Sequence, residues 1–349
     1  MSGRRLLLDD GPGEARGVVL LDGRPERLLI ERADDSPMQR LGARIVARVR
    51  RVERAMASAF LDLGEGPDAV LALAGDAADV TEGAWIEIEI AGEARHGKGA
   101  TARLVGHADG PQRLTAPAPS LNDRLRTFAP GAAIEQGAVA RDAADAAEAA
   151  VLAVVHPLPG GGSLAVEPTR ALTAVDVDLG ARAGRGGDAR RAARAANLAA
   201  IAETARLLRL KGLGGLVVID LAGKGHDGAA MSAQAKAAFA ADGAGVVIGP
   251  ISRFGALELV APRTGRPTAE RLCDPDGRLS AATAALRLLR ALEREGRADP
   301  GGRLSARCST EVEAAARPYI DSLTARIGPR FALVGEAGRA REDMEVSTA

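Results

Sequence analysis

The 349-residue chain contains only two cysteines, Cys273 and Cys308, and aromatic residues make up 2% of it. Two thiols cannot staple a disulfide scaffold, and such sparse usage fits a reducing compartment. With so few rings the core has to be aliphatic, and the 46% hydrophobic content suffices for a sizeable one. An excess of either charge is lacking too, because 46 Lys and Arg balance 46 Asp and Glu. A neutral total argues against strong nonspecific nucleic-acid binding, which needs a basic surface. No run reaches the ~18 apolar residues of a membrane span. The opening MSGRRLLLDDGPGE has no apolar stretch of secretory-signal length, so a cytoplasmic protein without membrane association is expected. The histidines, at 96, 107, 156 and 226, are scattered without metal-ligand spacing. No P-loop or nucleophile-elbow serine occurs.

What is present is unevenly distributed. Residues 40–54, RLGARIVARVRRVER, hold six arginines against one glutamate. Residues 182–194 hold Arg182, Arg185, Arg190, Arg191 and Arg194 against Asp188. GVVLLDGRPERLLIER (17–32) reads as a hairpin: two apolar runs around Asp-Gly-Arg-Pro. Between 43 and 104 short apolar runs alternate with Arg-rich and Gly-rich turns. Ile86, Ile88 and Ile90 alternate strictly, which predicts a half-buried strand and, with its neighbours, a small β-barrel. GPQRLTAPAPS (110–120) reads as a Pro-rich connector. Beyond it the pattern predicts a helix from 141, a strand over 171–178, and a long helix over 188–212 with Asp188 as N-cap and Gly212 as stop. A strand over 214–220, a helix over 228–242 and strands at 245–249 and 257–262 follow, implying an α/β sheet with crossovers. Amphipathic helices over 281–296 and 309–328 and a strand over 330–337 close the chain.

Two of these strands end in carboxylates. ALTAVDVD (171–178) places Asp176 and Asp178 two apart, on one face of a strand. GLGGLVVID (212–220) ends on Asp220. Ligand sites of open α/β sheets lie at strand carboxyl ends, and carboxylates converging there repel unless a cation joins them. Mg²⁺ suits hard oxygen ligands and bridges to phosphate, so one reading is a metal site for phosphate chemistry. The other is ordinary turn capping. The GRGGD run (184–188) could cradle a phosphate or form a plain turn.

The order of motifs from 163 to 260 narrows this. SLAVEPTRALTAVDVD, then RGGD, NLAAIAETARLLRLKGLGGLVVID and GPISRFGALEL together resemble the catalytic region of the ribonuclease E/G family. The similarity extends outward over most of residues 1–265. It implies an RNase H-like subdomain split into 1–36 and 108–166, with an OB-fold RNA-binding barrel (37–107) inserted. It further implies an α/β, deoxyribonuclease-I-like catalytic domain at 167–265 and a small C-terminal α/β domain within 266–349. The implied activity is Mg²⁺-dependent endonucleolytic cleavage of single-stranded RNA in RNA processing or decay, including rRNA processing. Asp176 and Asp220 would hold the metal, and Asp178 would stand where the family has asparagine. Arg253 of SRFG would contact phosphate. In the barrel, Phe60 would stack on a base and Lys98 would grip the backbone, with ordinary core packing and a solvated loop as the plain alternatives. Val70 stands where a second aromatic is expected.

The departures from the family pattern carry expectations of their own. Only GPQRLTAPAPS stands where relatives carry a 5′-end sensor domain, which implies internal entry without 5′-monophosphate sensing. The family's paired-cysteine zinc link is reduced to CDPD, in which Asp276 replaces the second cysteine after Cys273. One Cys and one Asp per chain suit zinc poorly, so no zinc is expected. Any homodimer would then rest on helices 281–296 and 309–328. No long tail is available to scaffold a multi-enzyme assembly. A noncatalytic RNA-binding relative is the alternative, and a phosphatase or nucleotidase acting on mononucleotides is a weaker third.

Overall fold

A computed structural model describes residues 3–95, 97–180, 187–242, 245–263 and 265–348, and the side chains of 187 and 188 fall outside that description. Arg182, the Gly184, Arg185 and Gly186 part of the GRGGD motif, and the capping side chain of Asp188 therefore lie outside the described residues.

Three strands open the chain: β1 (Arg4–Gly11), β2 (Glu14–Leu21) and β3 (Arg24–Arg32). β2 and β3 form the antiparallel hairpin that the sequence predicts. Its turn residues Asp22 and Gly23 both have positive φ, 51° and 79°, the twist that suits a two-residue hairpin.

The chain then leaves this sheet to build the barrel: β4 (Arg44–Glu53), β5 (Ser58–Asp62), β6 (Ala69–Ala72), β7 (Trp85–Gly92), β8 (Thr101–His107) and β9 (Arg113–Ala116). The order β5-β6-β8-β7-β4, with a further β5–β4 pairing, closes five strands on themselves. Ile45, Leu61, Leu71, Ile86, Ile88 and Ile90 fill the interior. β9 lies in the segment read as a connector, and pairs with the outer side of β4.

Helix α1 (Leu121–Phe128), capped by Ser120, leads to β10 (Ile134–Glu135), which pairs in parallel with β1. The barrel is thus inserted into a four-stranded sheet of order β10-β1-β2-β3. Helix α2 (Ala138–Leu152) follows and packs on this sheet.

The second half of the chain builds a six-stranded sheet from β11 (Val155–Pro157), β12 (Ser163–Pro168), β13 (Thr173–Asp178), β14 (Gly215–Asp220), β15 (Val247–Ile251) and β16 (Ala256–Ala261), ordered β11-β12-β13-β14-β16-β15. Helix α3 (Gly187–Lys211) is the crossover between the parallel neighbours β13 and β14. It ends as predicted at Gly212, φ +64°, where Leu213 N–H bonds to Leu208 O and Gly212 N–H to Arg209 O, the pattern that satisfies the last helix carbonyls. Helix α4 (Gly228–Phe239) precedes β15. Val175, Val177, Val217, Ile219, Leu257 and Leu259 bury against Ile201, Leu208, Met231 and Phe239 of the helices. The opposite sheet face is open, exposing Val155, Leu216 and Val260.

The C-terminal part comprises α5 (Thr268–Leu272), α6 (Ala281–Ala298), β17 (Leu304–Ser309), α7 (Thr310–Ala316), α8 (Ile320–Ile327), β18 (Phe331–Glu336) and β19 (Glu345–Thr348). The single helix expected over 309–328 is two, separated by a 3-10 turn at Arg317–Tyr319. Pro318 lacks the N–H that a continuous helix needs there. The helices held in reserve for a homodimer bury Leu286, Leu289, Leu292, Leu323 and Ile327 in one intrachain core. Those apolar faces are already covered, so they do not support a dimer.

Candidate active site

β13 and β14 run side by side, and their register pairs Asp176 with Asp220 directly. Val175 and Ile219 on one side of these positions face the helices, so alternation turns both aspartates to the open face. Neighbouring strands lie about 4.8 Å apart, which brings the two side chains together on one exposed surface. The next strands outward pair Ala165 with Asp176 and Ala256 with Asp220. The transverse row is therefore Ala-Asp-Asp-Ala, and the flanking methyl groups leave the carboxylates uncovered. Among the described residues neither carboxylate has a hydrogen-bond or ion-pair partner of its own.

Asp178 behaves differently. It shares the exposed face, but its Oδ1 accepts the Gly180 N–H at 2.9 Å. It caps the turn that leaves β13, so the capping alternative holds for this one of the three acids.

Helix α3 fixes the loop that leaves β14. Asn197 is fully buried, and its side chain donates to Ala222 O at 3.0 Å and accepts from Ala222 N at 2.9 Å. Arg194 reaches Asp227 at 3.3 Å, and Asp227 caps α4 by accepting from Ala230 N. That backbone N–H, helped by Arg194, holds the Asp227 carboxyl below the usual range. The sequence motif contained Asn197, but not its task of pinning the backbone two residues past Asp220. The available signal was a primary amide beside the apolar stripe of a helix, where it needs partners.

The other side of the row is bounded by the turn of SRFG. Ser252 Oγ accepts from Phe254 N and Ala256 N, and Gly255 N–H bonds to Ser252 O. Gly255 has φ +93°, and a Cβ there would lie 3.1 Å from His226 Nε2. Arg253 is exposed at this end of the sheet, with its guanidinium 4.7 Å from the Phe254 ring centroid.

Around the barrel, Phe60 points away from the interior, which is filled by its neighbours Ala59 and Leu61. It is cross-strand to Arg51, whose guanidinium lies 4.6 Å from its ring centroid. Phe60, Val70 and Thr101 form a row across β5, β6 and β8. Lys98 is exposed in the β7–β8 hairpin, held by reciprocal backbone bonds with Arg95. The sequence reading missed a second ring of the same kind: Trp85 is paired with Arg48, 5.7 Å from guanidinium to centroid. The basic run at 40–54 thus lays part of its charge over aromatic faces on the barrel exterior.

Among the described residues no group of three or more His, Cys, Asp or Glu side chains is arranged to hold a metal ion. Two hard carboxylates on an open surface do match the chemistry of Mg²⁺, which commonly takes one or two carboxylates and keeps several waters. At CDPD, where the resemblance implies a zinc link, Asp276 Oδ1 accepts Arg278 N within its own turn, at 3.4 Å, and burial raises the Cys273 thiol.

These features define a mixed α/β protein in which a closed five-stranded barrel accompanies a sheet bearing paired, uncovered carboxylates. Residues 119–264, from the approach to α1 through β16, match the Ribonuclease E/G family model. The match is narrower than the resemblance over most of residues 1–265 and omits the barrel. A search of the curated proteins matches none. The match over this part of the chain suggests ribonuclease activity in RNA processing or decay, and no helix among the described residues is long and apolar enough to cross a membrane.

Proposed function

We propose that this chain is a Mg²⁺-dependent endoribonuclease that cleaves single-stranded RNA internally. The observation that carries the proposal is the in-register pair Asp176–Asp220, exposed and uncovered at the carboxyl ends of two parallel strands. These two residues would hold the ion, which when bound activates water and offsets charge on the phosphodiester. Asp178 shapes the turn behind Asp176. Arg253 presents a planar fork suited to phosphate. Phe60 with Arg51 offers a stacking platform, and Lys98 a cation, for single-stranded RNA on the barrel. By resemblance the products carry 5′-phosphate and 3′-hydroxyl ends. The split four-stranded sheet and the barrel fit the RNase H-like and OB-fold parts that the resemblance implies. The short passage from β9 to α1 fits entry without 5′-monophosphate sensing. Cytoplasmic location, independence of zinc and the domain limits stated above belong to the same reading.

The test is cleavage of an internally labelled single-stranded RNA with Mg²⁺. Asp220→Asn and Asp176→Asn should each lower the rate by about 10³-fold, the loss expected when several kcal/mol of metal-borne stabilisation goes. RNA affinity should remain. Equal rates for parent and variants would overturn the assignment, and RNA binding without cleavage by the parent would favour a noncatalytic relative.

A further inference from the structure

We propose that Phe254 forms a nucleobase-stacking subsite beside the paired carboxylates, with Arg253 as the second member of the stack. The inference rests on the nuclease reading above and adds to it what holds the base next to the scissile phosphate.

Phe254 is 80% exposed in a chain with five phenylalanines. A single exposed apolar residue is ordinary; what sets this ring apart is the turn that displays it, its guanidinium partner and its place beside the carboxylates. The turn is rigid because Ser252 closes it through both its hydroxyl and its backbone. Gly255 adopts a positive φ and lets the backbone sit against the His226 ring. The display is therefore built in.

Position gives the ring its partner. Ala256 is the antiparallel partner of Asp220, and Phe254 precedes it by two residues. Its Cα thus lies within about 13 Å of that of Asp220, the sum of one cross-strand spacing and two extended residues. That is the range of a nucleotide bound at the carboxylates. The guanidinium of Arg253 lies 4.7 Å from the ring centroid, on one face. The other face is available to a base, while the cation favours the phosphate attached to it. Phe60 with Arg51, and Trp85 with Arg48, repeat the same ring-and-guanidinium unit on the barrel. Stacking needs no particular base, so the subsite suits RNA of varied sequence.

The test uses the full chain carrying Asp220→Asn and short single-stranded RNAs with 2-aminopurine at successive positions. One position should be strongly quenched, and adding Phe254→Ala should abolish that quenching while Phe254→Tyr preserves it. In the protein with Asp220 intact, Phe254→Ala should raise KM about 10-fold, change kcat far less, and blur the cleavage position. Phe254→Tyr should restore both. Unchanged quenching, KM and cleavage pattern in Phe254→Ala would overturn the subsite, even if Asp220→Asn abolishes cleavage and so upholds the nuclease reading. If the parent does not cleave, the quenching comparison alone decides. Quenching unaffected by Phe254→Ala together with a changed particle mass would assign the ring to a protein contact instead.

Discussion

At the scale of single residues, the three acids that look alike in the sequence do different work. Asp176 and Asp220 are without partners among the described residues, whereas Asp178 is committed to the Gly180 N–H. This is compatible with an aspartate at the position where the resemblance implies asparagine. Either side chain offers the Oδ1 that the turn requires, and the additional charge is exposed to water. Asp178→Asn should therefore retain cleavage close to the parent's, while Asp178→Ala should lose the cap and a larger share of the activity. Parallel rate measurements check this, and a large loss in Asp178→Asn would show that the charge itself is required. The spacing of Asp176 and Asp178 was legible because a strand has period two. The distinction between them was not, since it depends on where the chain turns after 178.

Among the elements, the strands with strict alternation were the most readable. Ile86, Ile88 and Ile90 fill the barrel as predicted. The short strands β9, β10 and β11 were not read, because two to four residues carry too little pattern and their existence depends on a distant partner. The β7–β8 hairpin that carries Lys98 illustrates such a dependence. A Cβ at Gly99 would lie 1.8 Å from Asp68 O, so only glycine lets this hairpin pack against the start of β6. Gly99→Ala should force the two apart, disturb the Phe60–Val70–Thr101 row, and weaken single-strand RNA binding. The melting temperature should fall as well, by an amount matching about 2–3 kcal/mol for an overpacked site. Binding and melting equal to the parent's would show that the packing is not needed.

For the whole molecule, a buried network of charge joins the parts. Glu148 on α2 pairs with Arg16 of β2 at 2.8 Å, and with Arg287 and Arg290 of α6 at 2.6 and 3.5 Å. Glu14 bonds to Arg32 at 2.8 Å and also to Arg290. Burial by itself would raise the Glu148 carboxyl, but Arg290, Arg287 and Arg16 outweigh it and hold the group below 4.5. A carboxyl lowered on folding stabilises fully above its unfolded value, and that contribution is lost as pH falls through the folded one. Unfolding measured against pH should therefore show a steep loss below 4.5, and Glu148→Gln should flatten it. Glu148→Ala removes one counter-charge from the buried Arg16, which keeps Asp9 and Asp145, and from Arg290, which keeps Glu14, and should cost about 1–3 kcal/mol in denaturant unfolding at neutral pH. Near-parental stability would mean that the network does not hold the N-terminal sheet to the C-terminal part.

The sequence by itself determined the aliphatic core, the strand and helix periodicities, the stop at Gly212 and the order of motifs that carries the resemblance. Each of these depends on residues close together in the chain. The tertiary structure alone decided that Asp176 and Asp220 are transverse neighbours, that alanines flank them, and that Asn197 pins the loop beyond. It likewise brought the SRFG turn to the same end of the sheet, and spent the apolar faces of α6 and α8 inside one chain. Such arrangements follow from strand order and register, which a local pattern does not encode because hydrogen-bonded neighbours can be dozens of residues apart.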